Sequence, residues 1–224
     1  MSSTFPAATA SLTISSKNYS SWALRGWLLC KLAKIDFVED LQSFDDPSTR
    51  AELLHLTPSF LVPKLTIGAV EAWGSWAIAE VLNEINPQSG LLPESPEARA
   101  HCRSICGEMH SGFTNLRAAL PMNLKAKHEN FKVWAGAKPD IQRICAIWRD
   151  CLKRYGGPYL FGAQPTMADA MFAPVCSRFQ TYSVELDLVA QQYCKTILQW
   201  DLLEAWRQSA LNEPDELEEL DLEF

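Results

Sequence analysis

Hydrophobic and polar positions follow two different periods in the first part of the chain and only one beyond residue 96. Residues 12–15 (Leu-Thr-Ile-Ser) alternate as a half-buried strand does, and residues 22–34 then carry apolar side chains at helical spacing. Residues 36–41 predict a second strand and 47–56 a short helix. Residues 64–67 and 70–73 predict two strands joined tightly at Gly68-Ala69, and 75–86 a helix. The order is βαβαββα. One βαβ crossover followed by a hairpin predicts a four-stranded mixed sheet with helices on its faces.

Residues 86–96 hold three prolines, a glycine and two serines, too few strand or helix formers for an element, and they predict a linker. Residues 97–120 follow with Cys102, Ile105, Cys106, Met109, Phe113, Leu116 and Leu120 on one stripe, which predicts a single continuous helix. Further helices are predicted over 139–155, 167–181, 186–198 and 200–209. The fold class is therefore α/β plus all-α. An N-terminal domain is expected over residues 1–86, a linker over 87–96, an all-helical domain over 97–211 and a tail over 212–224.

Composition narrows this picture. With 224 residues and 47% apolar side chains the chain can bury one large or two modest cores, which excludes disorder, collagen-like repeats and small disulfide scaffolds. The 27 acidic residues outnumber the 20 basic ones, but seven of the acids fall in residues 212–224, leaving a body with 20 of each sign. A neutral body without a basic stripe argues against nucleic acid as a partner. The acidic end reads as a solvated tail. No run approaches 18 apolar residues, so no membrane-spanning helix is expected. The first residues lack the basic and apolar regions of a secretory signal, so the expected location is cytoplasmic. Seven scattered cysteines, with no C-x-x-C pair and no histidine at zinc-finger spacing, read as reduced core thiols rather than metal ligands.

Three places can carry chemistry. At Ser15-Ser-Lys-Asn-Tyr-Ser-Ser-Trp22, hydroxyls and an amide crowd a helix N-terminus, where free N–H groups and the helix dipole favour an anion such as a thiolate or phosphate. Ser20 or Ser21 as a simple N-cap explains the same residues without any function. Val62-Pro63 heads a predicted strand, either as a turn or as a cis peptide. In Trp73-Gly-Ser-Trp-Ala-Ile78, Ser75 stands at another helix start, again as a cap or an anion site.

Over residues 12–207 the chain resembles the cytosolic glutathione transferase superfamily, in particular a bacterial branch with a serine-rich first loop. Val62-Pro63 resembles the family's cis-proline element, whose preceding backbone binds the cysteinyl part of glutathione. Ser75 matches the serine that holds the γ-glutamyl carboxylate. Thr166-Met-Ala-Asp169 resembles the family's helix-capping box, and RSICGEMHSGF and ALPMN are similar to phrases of the bacterial branch.

The resemblance implies a thioredoxin-like N-terminal domain, an α-helical C-terminal domain that supplies an electrophile site, glutathione as cosubstrate without a metal, and a homodimer. Anchored on Leu24-Arg25, the usual serine position falls on Asn18, so the thiol donor is open among Ser20, Ser21, Asn18 and Tyr19. Leu61 and Gly74 replace residues that in many members contact glutathione. Met109, His110 and Phe113 are the candidates for the electrophile pocket. The expected activity is conjugation of glutathione to a small apolar electrophile. A glutathione-dependent isomerase of the maleyl type and a non-catalytic binding module of the same fold are the alternatives.

Overall fold

The structure is a computed structural model that describes residues 10–42 and 62–214. The predicted helix over 47–56, Leu61 and residues 215–224 of the acidic tail lie outside the described residues. Strands β1 (Ala10–Ile14), β2 (Phe37–Leu41), β3 (Lys64–Ile67) and β4 (Val70–Trp73) form one sheet in the order β2-β1-β3-β4. β1 runs parallel to β2 and antiparallel to β3, and β3 and β4 form the hairpin. The alternation of β1 is real: Ala10, Leu12 and Ile14 are buried, while Ser11 and Thr13 are only partly so.

Helix α1 (Ser21–Leu32) joins β1 to β2, and α2 (Ser75–Ile85) follows β4 and packs against α1. The all-helical part comprises α3 (Pro96–Ser111), α4 (Thr114–Ala119), α5 (Lys138–Tyr155), α6 (Met167–Thr181), α7 (Leu188–Leu198) and α8 (Asp201–Leu211). Nearly every residue of α6 is buried, Asp169 and Arg178 among them, and it packs on α1, α3 and α7. The two parts therefore share an extensive hydrophobic core through the α1–α6 contact.

The single helix expected over 97–120 is broken. The chain leaves helical geometry at Gly112, where an added Cβ would lie 2.7 Å from the Glu108 carbonyl oxygen, and Phe113 takes a φ of 61° before α4 begins. The apolar stripe continues through the break: Met109, Phe113, Leu116 and Leu120 all remain buried. The linker is also less loose than its composition suggests. Leu91 is buried, and its carbonyl accepts the N–H of Met167 at 2.8 Å, fastening the segment to the start of α6.

The capping box closes as its residues predict. Asp169 accepts from the Thr166 N–H at 2.8 Å and from the Thr166 hydroxyl at 3.1 Å, and additionally from Leu160 N–H and the Tyr193 hydroxyl. All seven cysteines are buried and unbridged. Burial pushes the Cys30 and Cys151 thiols up to about 12 and Cys145 to about 11, so they are protonated and inert.

Candidate active site at the start of helices α1 and α2

The loop between β1 and α1 is tightly held. Ser20 is the N-cap of α1: its hydroxyl oxygen accepts the Ala23 N–H at 3.2 Å, and its own N–H donates to the Ser16 carbonyl at 3.1 Å. The capping reading is thus realised at Ser20. Ser21, the first helical residue, accepts from the Arg178 guanidinium at 3.2 Å. Tyr19 is buried, with its N–H donated to the Ser16 hydroxyl oxygen at 3.1 Å.

Asn18 is fully buried, and its Oδ1 accepts the N–H groups of Leu124 and Lys125 at 2.7 and 3.1 Å. Those two donors fix the amide orientation. The buried Nδ2 group has no hydrogen-bond partner among the described residues.

The second helix start is built differently. Gly74, the N-cap of α2, has a φ of 79° and no side chain to cap the helix. Its N–H donates to the Pro63 carbonyl at 3.0 Å, and the Val62–Pro63 peptide is cis. Pro63 in turn presses on α1: a Cβ at Gly26 would lie 2.5 Å from the Pro63 Cβ, so only glycine permits this approach. Ser75 is buried with its hydroxyl 3.5 Å from His110 Nδ1, and the His110 ring meets the Trp22 ring edge-on at 5.2 Å. Gly26, Pro63, Gly74, Ser75, His110 and Trp22 therefore form a closed chain of contacts linking both helix starts to α3.

Of the three residues proposed for an electrophile pocket, only His110 belongs to this ring. Met109 and Phe113, the other two candidates, are packed into the hydrophobic core. They sit on the face of α3 that its apolar stripe buries.

The sequence reading also missed a cationic group beside the ring. Arg25 and Arg117 each place a guanidinium 4.8 Å from the Trp22 ring. Arg117 donates to the carbonyls of Met109 and His110 at the end of α3, and Arg178 donates to the Leu120 carbonyl after α4. Arg25 donates to the Met171 carbonyl at 2.9 Å.

Among the described residues none of the three is paired with a carboxylate, and Arg25 Nη1 and Arg117 Nε have no partner. Burial lowers the Arg117 pKa to about 10. Burial, helped by the Arg117 charge, lowers that of Arg178 to about 9, so both stay cationic at neutral pH. Burial first, then Arg25 and Arg117, lowers the pKa of His110 below its ordinary value. The signal that could have found this group is a charge inside an apolar run, as at Arg25 within α1 and Arg178 within α6.

Among the described residues there is no cluster of three or more His, Cys, Asp or Glu side chains placed to hold a metal ion. No described helix is long and apolar enough to cross a membrane.

The acidic end is not solvated at its start. Glu213 is 8% exposed, and its carboxylate accepts from the Ser16 hydroxyl at 2.7 Å and from the N–H groups of Lys17 and Asn18, each at 3.0 Å. This corrects the reading of residue 213 as part of a free tail: three donors converging from a loop outweigh the run of like charge.

Residues 19–85 match the family model for the glutathione S-transferase N-terminal domain, and residues 112–209 that for the C-terminal domain. The chain is 30% identical over 172 residues to maleylacetoacetate isomerase of Rattus norvegicus, a match covering 74% of this chain and 76% of that protein. Among solved structures, a glutathione S-transferase from the Antarctic clam Laternula elliptica superposes with a TM-score of 0.67 at 23% identity, covering 93% of this chain and 96% of that one. A maleylacetoacetate isomerase from Anaeromyxobacter dehalogenans, crystallised with glutathione in its active site, gives a TM-score of 0.66 at 20% identity, covering 92% and 97%. With both domain models matched in order, and with the mixed sheet, the cis-proline and the capping box all in place, the chain belongs to the glutathione S-transferase family.

Proposed function

We propose that this protein binds glutathione across the starts of α1 and α2, stabilises its thiolate and transfers it to a small electrophile. The observation that carries this reading is the closed ring from Gly26 through Pro63, Gly74 and Ser75 to His110 and Trp22. It brings an uncapped helix N-terminus to the same place as a hydroxyl-rich one. The Ser75 hydroxyl and the first amides of α2 suit the γ-glutamyl carboxylate, and the Val62 backbone suits the cysteinyl part.

Ser20 is the preferred thiolate donor, with Ser21 next. A hydroxyl that accepts an N–H bond, as Ser20 does from Ala23, is polarised into a better donor. The Asn18 Nδ2 group, fixed in orientation and without a partner among the described residues, is a second donor on the same loop.

The chemistry follows from thiol ionisation. A thiol of pKa about 8.5 is only about 3% ionised at pH 7, and lowering that value to about 7 raises the thiolate fraction about fifteenfold. The thiolate forms a carbon–sulfur bond with the electrophile, whose displaced electron pair leaves with its leaving group or takes up a proton. The assembly this family membership suggests is a homodimer, and two chains of 25.1 kDa each would run at about twice that mass by light scattering.

A second reading, isomerisation of a maleyl-type double bond, is favoured by the Arg25, Arg117 and Arg178 group, which has no carboxylate partner among the described residues, because such a substrate carries carboxylates. There the thiolate adds to the cis double bond, the resulting single bond rotates, and expulsion of the thiolate leaves the trans isomer. Glutathione is consumed in conjugation and regenerated in isomerisation. Counting free thiols before and after turnover with an apolar electrophile and with a maleyl acid separates the two readings. No glutathione-dependent turnover of either substrate would instead identify a non-catalytic binding module.

A further inference from the structure

Glu213 lies 197 residues along the chain from Ser16 yet receives three hydrogen bonds from one short loop. One carboxylate oxygen takes the Lys17 N–H, and the other takes both the Ser16 hydroxyl and the Asn18 N–H. Because the Ser16 hydroxyl gives its only proton to Glu213, its lone pairs are turned to the N–H groups of Asn18 and Tyr19, which both donate to it at 3.1 Å. The Ser16 carbonyl then receives the Ser20 N–H. Glu213 thus sets the polarity of a chain of bonds that ends at the residues starting α1.

The far side of Glu213 closes the same circuit. Its backbone carbonyl accepts from the Lys125 ammonium at 2.6 Å, while the Lys125 and Leu124 amides hold Asn18 Oδ1. Trp206 of α8 adds a bond from its indole N–H to the Lys17 carbonyl at 2.8 Å. The other ammonium of this neighbourhood, that of Lys17, is turned to Glu39 at 2.5 Å.

We propose that Glu213 is a positioning residue for glutathione activation: its carboxylate holds residues 16–20 in the arrangement that aims the loop's donors at the thiolate. This rests on the function proposed above and adds to it a residue from the opposite end of the chain. The substitution Glu213→Gln keeps the size of the side chain but replaces one acceptor oxygen with an NH2 group, which cannot accept the loop's N–H or O–H.

The sign of the effect separates positioning from simple electrostatics. Removing a negative charge near the thiol would by itself favour the thiolate and lower its pKa, whereas loss of aligned donors raises it. The experiment titrates the thiolate absorbance of glutathione bound to the full chain, with kcat and KM measured across pH. Glu213→Gln is expected to raise the pKa of bound glutathione by about one pH unit. With the bound thiol near pH 7, that lowers the thiolate fraction at neutral pH from about 50% to about 9% and kcat about fivefold, with less than about a threefold change in KM for glutathione.

Glu213→Asp should recover part of this loss. If Glu213→Gln does not fold, Ser16→Ala, which breaks the same relay at its first bond, decides the matter by the same rise. An unchanged or lowered thiol pKa in an active, folded variant overturns the positioning role alone. Absence of glutathione turnover in the unmodified protein overturns the proposed function and this role together.

Discussion

Two helices start at the candidate site, and they are finished in opposite ways. The start of α1 is saturated by the protein's own groups: Ser20 caps it, Ser21 takes the Arg178 guanidinium, and the preceding loop is bound to Glu213 and to the 124–125 backbone. The start of α2 has a glycine where a capping side chain would stand, and among the described residues its Ser75 hydroxyl meets only a long contact to His110. A helix end closed by its own side chains is a rigid platform for donors. One left uncapped keeps its positive end for an incoming carboxylate. Under the proposed function the same local device serves positioning at α1 and binding at α2.

Substitutions at the two ends should therefore fail in different parameters. Ser20→Ala removes the preferred thiolate donor and should lower kcat about 10²- to 10³-fold, as loss of one preorganised donor does, with a smaller change in KM. Full activity in that variant would move the role to Ser21 or Asn18. Ser75→Ala should leave kcat at saturating glutathione nearly intact and weaken glutathione binding about 10- to 100-fold, the effect of one charged hydrogen bond, measured by calorimetric titration.

Gly26→Ala tests the wall common to both ends. The added methyl collides with Pro63 and should lower stability by about 1–2 kcal/mol in denaturant unfolding, despite alanine's better helix propensity, and weaken glutathione binding with it. The smallest effect concerns His110. Its lowered pKa means that below the ordinary value of 6.5 the unfolded chain takes up a proton that the folded one refuses. Stability should therefore fall as pH drops below 6.5, and His110→Asn should flatten that slope by a fraction of one proton.

Much of the first half was legible in the residues themselves. The hairpin over residues 64–73 and the helix start at Ser75 fall where alternation and Gly68-Ala69 place them, because both signals are local. The break at Gly112 was hidden because the apolar stripe runs on through it, and periodicity reports which face is buried rather than whether the backbone is continuous. Glu213 was hidden for the opposite reason: in a run of acids it looks like one more solvated charge, and only the fold brings the β1–α1 loop to meet it. Arg25, Arg117 and Arg178 come from three separate helices, so their meeting is a tertiary fact that no spacing encodes.

The proposed function requires this ring to bind glutathione. The most direct test is the melting temperature of the full chain with and without millimolar glutathione, with Ser75→Ala alongside. A ligand at 100 times its Kd adds about 2.7 kcal/mol. At the sensitivity of a domain of this size, that corresponds to a rise of about 5 to 10 °C. Glutathione binding at the ring should give such a rise for the unmodified protein and a much smaller one for Ser75→Ala. No rise up to about 10 mM glutathione, or an equal rise in both proteins, would contradict it.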